Sequence, residues 1–114
     1  MNWISVITET AAEAGIPAYS RMPTFGKGGQ PELFAVVTGY DNPAARADGR
    51  LIAREYHLTV ALFSESQAEL DEALELMIPA LEAQGIRYSG CRYSEDEDFP
   101  QRYRRDAEFV SISN

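Results

Sequence analysis

The sequence predicts a single two-layer α+β domain over residues 1–114, in which a mostly antiparallel sheet of about four to five strands packs against two helices. Three observations lead there. The stretch 54–63 alternates, with Tyr56, Leu58, Val60 and Leu62 on one face of a strand and Glu55, His57, Thr59 and Ala61 on the other. The stretch after it changes period: Leu70, Ala73, Leu74, Met77 and Leu81 fall at helical spacing, while Glu69, Asp71, Glu72, Glu75 and Glu82 take most of the remaining surface. Turn-forming residues divide the rest into the order helix, short strand, strand, strand, helix, strand, strand.

Residues 2–15 read as a short opening helix with Ile4, Ile7, Ala11 and Ala14 as its apolar stripe. Gly15 is its C-cap, and Pro17 prevents continuation. Ala18–Met22 is a short extended piece. Thr24–Pro31 gathers Gly26, Gly28, Gly29 and Pro31 around Lys27. A phosphate-cradling loop needs a Gly-Lys-Ser/Thr ending between a strand and a helix, and neither is present, so this segment reads as a flexible surface loop. Glu32–Tyr40 is a strand rich in β-branched and aromatic residues. Asp41–Arg50 reads as a polar linker with two turn signals, Asn42-Pro43 and Asp48-Gly49.

The central strand then runs from about Leu51 to Phe63, longer than average. Ser66 and Glu69 open the long helix, about 66–84, in a capping-box pattern: the hydroxyl takes a first-turn amide and the carboxylate reaches back to the cap amide. Pro79 removes one amide bond and crowds the carbonyl of Glu75, which predicts a kink or an offset final turn. Gly85 closes the helix. Ile86–Tyr93 is a strand, Ser94–Pro100 an acidic turn, and Gln101–Ser113 a closing strand that is basic first and apolar later. Joined by the turn, the last two strands form an antiparallel hairpin.

Composition narrows the function. A chain of this length buries roughly two thirds of its unfolded surface as one domain. Eighteen acids stand against ten basic residues, for a net charge of −8. Phosphate binding draws its affinity from clustered positive charge, so free nucleic acid is not the expected partner, though a wall that faces DNA and repels it is compatible. One cysteine, Cys91, permits no intrachain disulfide and suits a reducing compartment. Met1–Ala14 has no basic region of a signal peptide, and no apolar run approaches the ~20 residues a membrane span needs. A soluble protein made in the cytoplasm is the expectation.

Catalytic signals are sparse. His57, the only histidine, has Glu55 beside it on the same strand face, but a general base also needs a nucleophile, and such polar pairs are ordinary on the solvent side of a sheet. Cys91 reads as a small buried apolar residue, with no feature that lowers its thiol pKa. The acidic run Glu95–Asp98 lacks the frame of an EF-hand loop and reads as solvated, or as a charge partner for Arg102, Arg104 and Arg105 within the chain or on a neighbour. No catalytic residue, metal ligand or cofactor site is assigned, and the chain does not read as an enzyme. Tyr19, Phe25, Phe34, Tyr88, Tyr93, Phe99 and Tyr103, interleaved with arginine on faces expected to meet solvent, point to protein–protein contact. The other reading is that these aromatics fill both sides of the sheet.

The layout resembles the tail-terminator proteins (tail-completion, or head–tail joining, proteins) of long-tailed bacteriophages and prophages. The resemblance is carried by the opening helix that ends near Gly15-Ile16-Pro17-Ala18-Tyr19, by Ala47-Asp48-Gly49 with Tyr56–Phe63 leading into the acidic helix and Gly85-Ile86, and by the ending Arg104–Phe109. The family often has an Ala-Asp-Asn-like turn in the middle block; Gly49 stands in the Asn position here and keeps the turn role. The pattern spans most of the chain.

The resemblance implies a structural role in the virion: a homo-oligomeric ring, six-fold in the family, on the head-proximal end of the tail tube. Such a ring stops tube polymerisation, offers a surface to the head connector and lets DNA pass without binding it specifically. A heterologous ring needs two different complementary patches on each subunit. The expected contacts with neighbours and partners are Phe25 and Lys27 in the glycine-rich loop, Arg46, Asp48 and Arg50 in the polar linker, Asp98 and Phe99 in the acidic turn, and Arg102, Arg104 and Arg105 in the closing strand. The alternative is a small cytoplasmic dimeric binding or regulatory module without catalysis.

Overall fold

The computed structural model describes residues 2–21, 23, 31–47, 50–95 and 103–113, and for 40–47, 50–54, 93–95 and 112–113 it describes the backbone alone. Helix α1 (Trp3–Glu13) precedes strands β1 (Ala18–Tyr19), β2 (Leu33–Ala47) and β3 (Arg50–Ser64). Helix α2 (Gln67–Glu82) follows, then β4 (Arg87–Glu95) and β5 (Tyr103–Ser113). The element order is the one the sequence predicts. The five strands form one sheet in the order β1-β2-β3-β5-β4, parallel between β1 and β2 and antiparallel elsewhere.

Both helices start and stop by local chemistry. The Asn2 carboxamide oxygen accepts from the Ser5 amide at 3.2 Å, capping α1. Its buried stripe is Ile7, Thr10 and Ala11, and Ala14 at its end is exposed, contrary to expectation. At the start of α2 the Ser66 hydroxyl accepts from the Glu69 amide, as a capping box requires. The return half differs: Glu69 Oε2 accepts from the Ser64 hydroxyl at 3.2 Å, and Ser64 takes the Ser66 amide at 3.0 Å. A second serine thus relays the carboxylate to the cap. The helices end alike. Gly15 and Gly85 take φ of 81° and 86°, and the next amide, of Ile16 or Ile86, donates back to Ala11 or Leu81. Each isoleucine is then turned into the core.

Helix α2 continues through Pro79 to Glu82. Pro79 lies on the exposed side, where water can reach the Glu75 carbonyl that loses its amide partner.

The helices cover one face of the sheet. Ile7, Ile16, Val37, Leu58, Val60, Leu62, Leu70, Met77, Leu81, Ile86 and Phe109 form the main core there, as the alternation of β3 and the helical spacing of α2 require. Gln84 ties the helices together, donating from Nε2 to Thr10 Oγ1 at 2.8 Å. The opposite face is not uniformly polar. Phe34, Val36, Ala61 and Phe63 make a second buried cluster, with Phe34 and Phe63 stacked at 4.9 Å and Tyr19 edge-on to Phe34.

The segment expected as a polar linker is not one. Asp41–Ala47 continues β2, and Arg50–Ala53 extends β3 backward, with Ala47 paired to Arg50. Each strand reaches 15 residues, roughly 50 Å at ~3.3 Å per residue, which accounts for most of the molecule's 55 Å length. Pro43 is accommodated because the register shifts between Pro43 and Ala45, a bulge, in a strand that β1 meets only at Ala35 and Val36. The last pairing of β3 with β5 is Arg54 to Ser113. Beyond that level β2 and β3 pair only with each other among the described residues, as a two-stranded arm.

Candidate assembly surface

The expected contact residues fall into three groups. Phe25, Lys27, Asp48, Asp98, Phe99 and Arg102 lie outside the described residues, as do most of the glycine-rich loop and of the acidic turn. Arg46 and Arg50 belong to the arm rather than to a linker: Arg46 pairs with Leu51, and Arg50 with Ala47. Arg104 and Arg105 occupy β5, on opposite faces of the sheet because strand neighbours alternate.

Each of these last two arginines is engaged within the chain. Arg104 donates from Nε to Asp106 Oδ1 at 2.8 Å and lies 5.3 Å from the Phe63 ring centroid, so its charge sits on an aromatic face beside the second cluster. Arg105, on the helix side, donates from Nη1 to Asp71 Oδ1 on α2. Its side chain is only 16% exposed while that of Asp71 is 55% exposed, so a largely buried guanidinium is held by a carboxylate at the surface. The pair pins the first turns of α2 to β5.

His57 Nε2 meets Glu55 Oε1 at 2.5 Å on the sheet face away from the helices, both about a third exposed. Among the described residues there is no group of three or more His, Cys, Asp or Glu placed to hold a metal ion. Cys91 is exposed, not buried as expected, because it stands on β4 at the end of the sheet order. Hydrogen bonding with Cys91, and then desolvation, raises the Tyr88 phenol above its ordinary pKa. A cleft of about 760 Å³ opens beside the start of α1, lined by Asn2, Ser5, Thr8, Tyr19 and Arg21 among others. Among the described residues no helix is long and apolar enough to cross a membrane.

The aromatics expected to face solvent are mostly internal. Phe34 is fully buried, Tyr19 packs against it, and Tyr88 and Tyr103 pack against the main core. Among those with described side chains only Phe34 is fully buried; Tyr19, Tyr88 and Tyr103 are half-buried. The exposed large apolar residue among the described ones is Leu76, 57% exposed in the middle of α2, a position that helical spacing alone could have flagged. Four residues before it stands Glu72; three, four and seven after it stand Pro79, Ala80 and Ala83, all exposed. This is an apolar strip edged by Glu72, Glu75 and Glu82.

No protein-family model matches the chain, and a search of curated proteins found no match.

Proposed function

We propose that this chain is a structural phage protein that assembles into a ring, six-fold as in the tail terminators its sequence resembles, on the head-proximal end of a long-tailed phage's tail tube. The ring ends tube polymerisation and presents a joining surface to the head connector, and the protein's working location is the virion, at the head–tail junction. No catalysis is involved.

The observation that supports this best is the β2–β3 arm. A two-stranded ribbon is marginal in water on its own, because it buries too little apolar surface to offset the entropy of ordering it. An arm reaching past the sheet is therefore a natural element for a contact with another subunit. A ring further requires that the contacting patches on one subunit be different, and an arm at one end with a helical surface elsewhere meets that requirement. The net charge of −8 suits a pore wall that repels passing DNA phosphates.

Native mass spectrometry over a concentration series tests the reading. A closed species of about six subunits, as the family resemblance implies, is expected to grow with concentration. A strict dimer at every concentration would replace the ring with a dimeric binding module.

A further inference from the structure

We propose that the β2–β3 arm of one subunit docks on the outer face of α2 of a second copy of this chain, with Leu76 at the centre of the contact. The inference rests on the reading of the chain as self-assembling and names the two surfaces that meet.

The arm and the face complement each other in charge. Residues 43–54 carry three arginines, Arg46, Arg50 and Arg54, against the single acid Asp48, in a chain whose net charge is −8. Helix α2 carries five acids, Glu69, Asp71, Glu72, Glu75 and Glu82, and no basic residue. Asp71 is taken by Arg105 and Glu69 by Ser64. Glu72, Glu75 and Glu82 remain exposed around the Leu76 strip, which gives that strip the form of an apolar centre with a polar rim. The arm's sequence offers matching apolar content in Leu51, Ile52 and four alanines.

The geometry makes the partner a second copy. Asp71 sits at the level of Leu62, since its partner Arg105 pairs with Leu62 across β3–β5. From there α2 runs back along β3 toward the arm, and the Gly85 carbonyl just past its end accepts from Ser111, which pairs with Tyr56, six residues or roughly 20 Å short of Arg50. The free part of the arm begins beyond that level and continues away from the helix end, so it cannot lie across Leu76 of its own α2. That free part, four residues on each strand beyond the Pro43–Arg54 pair, is roughly 13 Å long, enough to cross one helix of ~10–12 Å diameter. Arm on one subunit and helix on the next is a head-to-tail contact, the kind that propagates around a ring.

Mixing two single-cysteine proteins tests the contact, each in a Cys91→Ser background: one with Arg50→Cys on the arm, one with Ala80→Cys on the strip. A short flexible bismaleimide should join the two unlike chains far more than it joins either protein to itself. A charge exchange gives the second readout. Glu72→Lys with Glu75→Lys, or Arg46→Glu with Arg50→Glu, should each weaken self-association at least about tenfold, and the four substitutions together should restore most of it. All these helix positions are exposed, so a circular-dichroism spectrum unchanged from the parent confirms that the fold is kept.

The proposal is overturned if unlike chains do not cross-link preferentially, or if the fourfold variant associates no better than the weaker parent variant. The ring reading fails separately. Rings that persist through both charge reversals remove this contact and leave the ring; a closed dimer whose strength follows the charge exchange keeps this contact and removes the ring.

Discussion

Arg104 lies over the Phe63 ring, 5.3 Å from its centroid, while its Nε holds Asp106 at 2.8 Å. One side chain therefore closes an aromatic cluster on the sheet face away from the helices and neutralises a carboxylate there. Phe63 is fully buried and stacked on Phe34. Phe63→Ala should cost about 3–5 kcal/mol, as large-to-small changes in cores do. Arg104→Ala should cost less, about 1–2 kcal/mol, from the lost cation–π contact and stem packing. Urea denaturation of the two variants measures both, and Arg104→Ala matching Phe63→Ala would contradict the ranking.

Gly39 is set by a neighbour rather than by a turn. A Cβ placed there would come within 2.7 Å of Leu58 Cδ2 and 3.1 Å of the His57 carbonyl oxygen. The first can yield by a rotamer change, whereas the second is backbone paired within the sheet. Gly39→Ala should destabilise by about 1–3 kcal/mol, seen as a lower denaturation midpoint with an unchanged slope.

Pro79 works against the helix it sits in. Because it is exposed and the helix continues past it, Pro79→Ala restores an amide donor for the Glu75 carbonyl without displacing core atoms. The variant should be more stable by about 1–3 kcal/mol, and a thermal melt that does not rise would show that the helix has adapted fully to the proline.

The Tyr88 phenol carries the one pH prediction. Hydrogen bonding with Cys91 and desolvation raise its folded pKa above the ordinary 10.0, so the folded state holds the proton more tightly than the unfolded chain does. Stability from this group is complete below pH 10.0 and declines as the pH rises from there through the folded value. Tyr88→Phe should lose that alkaline decline, and Cys91→Ser should alter it. Denaturation midpoints at a series of alkaline pH values read this directly.

What the sequence disclosed is what burial imposes. Leu58, Val60 and Leu62 alternate because one face of β3 meets the helices, and Leu70 to Leu81 repeat at helical spacing because α2 buries one stripe. The arm was illegible for the converse reason. Beyond the Arg54–Ser113 pair no third strand joins β2 and β3 among the described residues, and Asn42-Pro43 carries a turn signal as strong as that of Asp48-Gly49, yet β2 continues through it. Pro43 reads as a strand breaker unless the bulge and the outer position of β2 are known. Cys91 reads as buried by residue type, but its exposure follows from the sheet order, which places β4 outermost. The second cluster escaped the sequence reading because Ala61, on the face expected to be polar, is buried with Phe34 and Phe63. Leu76 falls off the stripe of Leu70, Ala73, Leu74, Met77 and Leu81 by helical spacing, and its exposure bears that out.

Negative-stain electron microscopy of the purified chain at high concentration is the most direct measurement of the central claim. The ring account predicts closed particles with a central hole and, on averaging, a single rotational symmetry. Compact particles with two-fold symmetry and no hole, unchanged as the concentration rises, would contradict it.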